Sequence, residues 1–293
     1  MLEVDSLTRR FGEITAVEGV TFSAGDGQLV GFVGGNGAGK TTTMRMIMGV
    51  LAIHGGEVRW QGHPITAADR RQFGYMPEER GLYPKQPVLD QLVYLARLKG
   101  MEAGAARRST QEALERFGLG ERAKDRVEKL SLGNQQRVQI IAALLAHPVA
   151  LILDEPFSGL DPDAVDAMAG LLREHTRTGV PVLFSSHQLD LVERLCDRLV
   201  ILRKGRVVAT GTVDELRADA TRRHRLVLDA DAGWTRELPG VAVADVEGPA
   251  AVLELLTPGA ERELLTQALR RGTVVSFGPI VPTLSDIYRE VTA

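Results

Sequence analysis

Apolar residues in the first half of the chain follow two rhythms. Short runs of branched apolar residues alternate with stretches in which they recur every three or four positions. Short strands are predicted at 2–4 and 20–22, a strongly apolar strand at 28–33, and a helix over 39–48. Further strands are predicted at 57–61 and at 73–76, the second ending at Pro77. From 88 to 119 the spacing turns helical. Leu89, Leu92, Val93, Leu95 and Ala96 form one stripe; Ala113, Leu114 and Phe117 form a second, closed by Gly118. Charged residues fill the opposite faces, so a helical insertion over about 82–147 is expected between two parts of a sheet domain.

The stretch 134–146 predicts a helix with an almost wholly apolar second half. Continuous apolar runs at 149–153 and 180–185 are expected of strands covered on both faces. Helices are predicted over 163–176 and 189–197, and a hairpin turns at Lys204-Gly205. Buried parallel strands with covering helices imply an α/β core. After about Gly211 the pattern changes. Strand-like runs at 226–228, 252–256 and 273–277, with helices over 261–271 and 284–291, predict a small α+β domain, opened by the arginine-rich stretch 221–225. The expected division is 1–216 and 217–293.

Composition narrows the possibilities. With 44% hydrophobic and 25% charged residues among 293, the chain is expected to fold around a sizeable core. A net charge of −3 gives no support for bulk electrostatic binding of nucleic acid. The single cysteine, Cys196, excludes an internal disulfide framework and any metal site built on several thiolates. The N-terminus lacks the apolar core of a signal peptide. The most apolar stretch, 140–153, is broken by His147-Pro148, whereas a bilayer span needs about 20 apolar residues. Membrane work is expected to go through a partner.

The run Gly34-Gly35-Asn36-Gly37-Ala38-Gly39-Lys40-Thr41 fits the phosphate-loop pattern and lies after a buried strand and before a helix. Glycines let successive N–H groups face one anion, and the helix adds the positive end of its dipole. Lys40 is placed for the β- and γ-phosphates, Thr41 offers its hydroxyl to Mg²⁺, and Thr42 backs the α-phosphate end. Downstream, Leu151-Ile152-Leu153-Asp154-Glu155-Pro156 is an apolar strand ending in two acids. Carboxylates there are costly unless they bind a cation or partner, and Asp154 is the candidate Mg²⁺ ligand.

Between and beyond these lie Leu130-Ser131-Leu132-Gly133-Asn134-Gln135-Gln136-Arg137, Ser158-Gly159-Leu160-Asp161 and Ser185-Ser186-His187. Ser131 on its own reads as the N-cap of an apolar helix. In this order, however, the motifs resemble those of the ATP-binding subunits of ABC transporters, over roughly residues 2–216. The resemblance implies a phosphate-loop α/β core of the ABC ATPase type, with an inserted helical subdomain and an N-terminal antiparallel β part. It implies that Ser131 and Gly133, from the family's signature motif, complete the ATP site of a second subunit. Leu132 and Asn134 depart from the commonest form of that motif. Glu155 takes the position of the catalytic base, and His187 that of the histidine contacting the γ-phosphate and the attacking water. Ser158 to Asp161 would contact the opposite subunit, and Phe11, 29 residues before Lys40, would stack on adenine. Where the family usually carries a glutamine that touches Mg²⁺, this chain has Glu78, which can still coordinate the ion. The run Pro77-Glu78-Glu79-Arg80-Gly81-Leu82-Tyr83 and the C-terminal extension are similar to exporters of the bacterial sodium-extrusion and drug-efflux branch.

The resemblance thus implies a Mg²⁺-ATP-hydrolysing motor subunit that pairs with a second copy or a related ATPase. It would sit on the cytoplasmic face of the membrane through a separate permease docked at 82–120, with no nucleic-acid partner. Two alternatives stand beside it: a soluble ATPase of the same family acting on ribosomes or DNA, and a module that holds ATP without turnover. The C-terminal domain carries no defensible catalytic constellation; a regulatory or dimer-stabilising role is the expectation.

Overall fold

The computed structural model describes residues 1–79 and 81–292. It divides into two units, Met1–Val213 and Asp214–Val291.

The first unit opens with β1 (Leu2–Phe11) and β2 (Ile14–Ala24), then β3 (Leu29–Val33), α1 (Lys40–Ile47), β4 (Gly55–Trp60), β5 (His63–Pro64), α2 (Ala67–Arg71) and β6 (Phe73–Met76). The inserted helices are α3 (Val88–Leu98), α4 (Ala103–Arg116) and α5 (Leu132–Leu144). There follow β7 (Ala150–Leu153), α6 (Pro162–Arg177), β8 (Val182–Ser186), α7 (Leu189–Leu195), β9 (Arg198–Arg203) and β10 (Arg206–Gly211). The strands expected at 2–4 and 20–22 are the apolar ends of far longer ones. Beyond them one face of each strand is solvated, so polar residues such as Thr8, Arg10 and Glu18 interrupt the apolar run without ending the strand. At the β1–β4 crossing only glycine fits: a Cβ on Gly56 would lie 2.3 Å from the carbonyl oxygens of Asp5 and Ser6.

Two sheets result. One is antiparallel, in the order β2-β1-β4-β5; the other has the order β10-β9-β3-β8-β7-β6, parallel except for β10. Their facing sides share one core, in which Phe22 meets Phe32 with ring centroids 5.1 Å apart and Trp60 meets Phe73 at 4.9 Å. The inserted helices bury a second cluster of their own, including Val88, Leu92, Leu114, Val138 and Ile141. Helix α5 starts at Leu132, two residues before the expected start, because the Ser131 side chain caps it by accepting from the Asn134 amide at 3.3 Å. It ends at Leu144, short of the expected 146, because Ala146 and His147 take positive φ values of 65° and 48° before Pro148.

The parallel register matters most for function. Val33 pairs with Ser186, Leu153 with Phe184, and Met76 with Leu153. The loops after β3, β6, β7 and β8 therefore leave the sheet along one edge, which is where ligands bind in open α/β sheets.

The second unit contains α8 (Val213–Asp219), β11 (Arg223–Leu228), β12 (Val241–Glu247), β13 (Ala250–Leu255), α9 (Ala260–Arg271), β14 (Val274–Ile280) and α10 (Leu284–Thr292). Its sheet is antiparallel, in the order β12-β13-β11-β14, around a core of Leu226, Leu228, Leu253 and Leu264. Strand β12 has no counterpart in the sequence reading. Its alternation rests on valines and alanines and is broken by a bulge between Val243 and Asp245. Among the described residues no helix is long and apolar enough to cross a membrane.

Candidate functional site

The loop between β3 and α1 wraps a cavity of about 320 Å³ lined by Ala16, the loop residues Gly35 to Thr42, Glu78 and Glu155. The loop's closeness to its surroundings explains its composition. A Cβ on Gly34 would lie 2.8 Å from both Ala38 Cβ and the Leu202 carbonyl oxygen. Gly39 stands at φ 104°, where a side chain would press on the Ala16 carbonyl at 2.9 Å. Lys40 is buried, and its ammonium donates to the Gly34 carbonyl at 2.7 Å and the Gly35 carbonyl at 3.4 Å. The cation is thereby tied to the glycine loop at the start of α1, the setting of an anion cradle.

The carboxylates come from the neighbouring strand ends. Asp154 is 1% exposed, and its amide donates to the Met76 carbonyl at 2.8 Å. Its Oδ1 accepts the Ser185 hydroxyl at 2.5 Å; Ser185 Oγ in turn accepts the Glu155 amide at 2.8 Å. One buried serine on β8 therefore fixes both acids. Burial pushes the Asp154 carboxyl up, and the Ser185 hydroxyl opposes this. Asp154 Oδ2 is buried and has no hydrogen-bond partner among the described residues. Close by, the Thr41 hydroxyl donates to Glu78 Oε2 at 3.1 Å. A hydroxyl, an exposed carboxylate and a buried, unpaired carboxylate oxygen are the donor set of a hard, oxygen-binding cation. No group of three or more His, Cys, Asp or Glu residues able to hold a metal is present among the described residues. A cation here would need further oxygens from a ligand.

Glu155 has φ 51°, a left-handed conformation that costs about 1–3 kcal/mol for a non-glycine residue. This turns its side chain toward the loop. Its Oε1 lies 3.9 Å from Lys40 Nζ and its Oε2 3.0 Å from His187 Nδ1. Lys40, Glu155 and His187, 147 residues apart in sequence at their extremes, thus form a connected chain, of which Lys40 and Glu155 line the cavity and His187 stands behind Glu155 outside the lining.

Four candidates lie elsewhere. Phe11 ends β1 at a tight turn, 44% exposed, with the Arg9 guanidinium 4.7 Å from its ring centre; it does not line the cavity. As the ring is exposed, it is not a core residue at a strand end. Ser131 and Gly133 stand at the start of α5, also outside the cavity, and a Cβ on Gly133 would lie 3.1 Å from the Gly159 carbonyl oxygen. Asp161 caps α6 by accepting from the Ala164 amide at 2.8 Å and lies 3.6 Å from Arg137. The sequence reading gave no role to Ser185, whose signal was a hydroxyl at the end of an otherwise apolar buried strand, or to Ala16, which carries no chemical signal at all.

This fold and loop define a phosphate-loop nucleotide-binding protein. The comparisons define the family. A model described as ABC transporter matches residues 17–158, and one described as the C-terminal domain of DrrA1-3-like ATP-binding proteins matches residues 211–292. The chain is 40% identical over 291 residues to the uncharacterized ABC transporter ATP-binding protein YhaQ of Bacillus subtilis strain 168, covering 99% of this chain and 98% of that one. It is 36% identical to the linearmycin resistance ATP-binding protein LnrL of the same organism, over 74% of this chain and 70% of that one. A solved ATP-binding subunit of an ABC transporter superposes with a TM-score of 0.69 at 36% identity, covering 74% of this chain and 92% of that one. The chain belongs to the ATP-binding subunits of ABC transporters; it is an ATP-binding ATPase.

Proposed function

We propose that this chain is the motor subunit of an exporter, hydrolysing Mg²⁺-ATP at a site completed by a second copy. The observation that carries the reading is the run of contacts from Lys40 to Glu155, which both line the glycine-rich cavity, and from Glu155 to His187 beside it. Glu155 accepts a proton from a water aligned with the γ-phosphorus. A P–O bond forms to that water as the bond to the β–γ bridging oxygen breaks, and ADP leaves. Lys40 takes up charge on the β- and γ-oxygens, and His187 orients Glu155 and the γ-phosphate. Thr41, Asp154 and Glu78 are the residues that would hold Mg²⁺, which supplies charge neutralisation on the phosphates when bound.

Phe11 stacks on the adenine. Ser131 and Gly133 of the second copy close over the γ-phosphate in a head-to-tail pair, with residues 158–161 at the joint. Ser131, Ser158, Gly159 and Asp161 are exposed and Gly133 and Leu160 half-buried, all outside the cavity, which suits contact with another chain's nucleotide. A separate permease turns closure and opening into transport, and holds the chain peripherally on the inner face of the membrane. A groove of about 820 Å³ supports a docking role for the segment 82–120: Leu95, Leu98 and Lys99 of that segment line it with Arg70 and Arg71, and among the described residues no carboxylate does. Export is supported by relatives named for linearmycin resistance and for Nod factor export. The division at Val213 suits an ATPase unit followed by a regulatory or dimer-stabilising domain.

The test uses Glu155→Gln as a trap. Tagged variant with Mg²⁺-ATP is added to solubilised membranes of the source cell. Capture of a polytopic membrane protein at fixed stoichiometry is the expected result. Capture of ribosomes or DNA, or an ATP-bound dimer with no membrane partner, would overturn the transporter reading.

A further inference from the structure

Helix α5 carries two buried glutamines, Gln136 and Gln139, 6% and 4% exposed. Three residues apart, they share a face of the helix. A buried amide is costly unless paired, so where each one reaches is informative. Gln136 Nε2 donates to the carbonyl oxygens of Glu155 at 2.9 Å and Pro156 at 3.1 Å. It grips the turn in which Glu155 holds its left-handed conformation. Gln139 Nε2 reaches the carbonyl of Glu79, the residue after Glu78, at 3.4 Å, while its buried Oε1 has no hydrogen-bond partner among the described residues. Neither glutamine lines the nucleotide cavity, so neither touches the reacting atoms.

Other bonds hold the same loops from the core side. Ser185 takes the Glu155 amide, and Arg45 lies 3.4 Å from the Glu79 carboxylate. The glutamines add a tie from the helical insertion. The helix they stand on begins at Ser131 and Gly133, the residues assigned above to the second chain's nucleotide.

We propose that Gln136 and Gln139 are positioning residues that set the Glu155 turn and the Glu78–Glu79 loop from one helix. A displacement at the Ser131 end of α5 is thereby delivered to the water-activating carboxylate and to the cation-binding one together. The inference rests on the ATPase reading above, but assigns the coupling of its two carboxylates to residues outside the cavity.

The test is made on the full chain with Gln136→Met and Gln139→Met, which keep length and lose the donor. ATP turnover is measured against both ATP and Mg²⁺, with melting curves to establish folding. Gln136→Met is expected to lower kcat about threefold to tenfold, the kinetic equivalent of a neutral hydrogen bond, with KM for ATP and the half-saturating Mg²⁺ concentration within about twofold of wild type. Gln139→Met is expected to raise half-saturating Mg²⁺ by about threefold to tenfold, since its loop carries Glu78. A merely structural role would lower melting temperature and active fraction in both variants, but leave the Mg²⁺ dependence of the active enzyme unmoved. Wild-type Mg²⁺ dependence in Gln139→Met together with wild-type kcat in Gln136→Met overturns the proposal. Leucine replacements give the same readouts should a methionine variant not fold. A wild-type chain without ATP turnover would instead remove the ATPase reading beneath it.

Discussion

Asp154→Asn separates what the site needs from what the fold prefers. Asp154 is 1% exposed, and its Oδ2 has no hydrogen-bond partner among the described residues. Its carboxyl is pushed up, first by burial and also by the nearby charge of Glu78, against the opposing pull of the Ser185 and Thr41 hydroxyls and the Lys40 ammonium. An aspartate whose pKa is raised on folding binds protons more readily folded than unfolded. Its ionised form therefore costs stability, by nothing below the ordinary value of 3.8 and by the full amount above the raised folded value. Asparagine has the same shape, and its Oδ1 still accepts the Ser185 hydroxyl. Lys40 keeps the Gly34 carbonyl at 2.7 Å and Glu155 at 3.9 Å, so it is not left alone. Removing the charge relieves up to about 3 kcal/mol, less the cost of the amide Nδ2 that takes the unpaired place. At about 2–4 °C per kcal/mol for a unit of this size, the variant should melt higher than wild type at pH 7.5 in EDTA, by up to about 12 °C. The gap should shrink as pH falls through the folded pKa toward 3.8. Mg²⁺-ATP should narrow the gap, because ligand at about 100 times its dissociation constant adds about 2.7 kcal/mol to the wild type and less to a variant lacking a cation ligand. Differential scanning fluorimetry reads both. A variant that melts at or below wild type in EDTA would refute the claim that Asp154 is held ionised for the cation at the expense of the fold.

Two further outcomes are expected. Glu78→Gln removes a negative charge beside the cavity while keeping an oxygen. In EDTA it should tighten binding of a fluorescent ATP analogue about threefold to tenfold, a range kept modest by solvent exposure, and turnover should then need more Mg²⁺. Equal affinities with and without metal would sink that reading. Leu226→Ala hollows the core of the second unit, where Leu226 is fully buried between β13 and β14. It should cost about 2–5 kcal/mol in thermal unfolding while analogue binding stays at wild-type strength, since every cavity residue belongs to Met1–Val213.

Much of the α/β core was legible because its strands are buried on both faces and read as unbroken apolar runs, as at Leu151 and Leu183. The edge sheet was legible only in part. Solvated positions on β1 and β2 dilute the pattern, and Gly56 makes room for a crossing that no local signal announces. Strand β12 escaped because alanine and valine alternation with a bulge looks like loop. At the site, motif chemistry named Lys40 and Asp154, and the family resemblance named Glu155 and His187. Neither could give their mutual distances, because these depend on strand register. Ser185 and Gln136 were illegible as site residues: each acts through a hydrogen bond between elements remote in sequence, which only the fold brings together.

The central claim is that two chains form each working site. It is tested most directly by light scattering of Glu155→Gln in Mg²⁺-ATP, with and without Ser131→Arg. The account predicts a particle of twice the 31.8 kDa chain mass that appears only with nucleotide, and its loss in the Ser131→Arg variant while analogue binding persists. A monomer in Mg²⁺-ATP, or a dimer indifferent to Ser131→Arg, would contradict it.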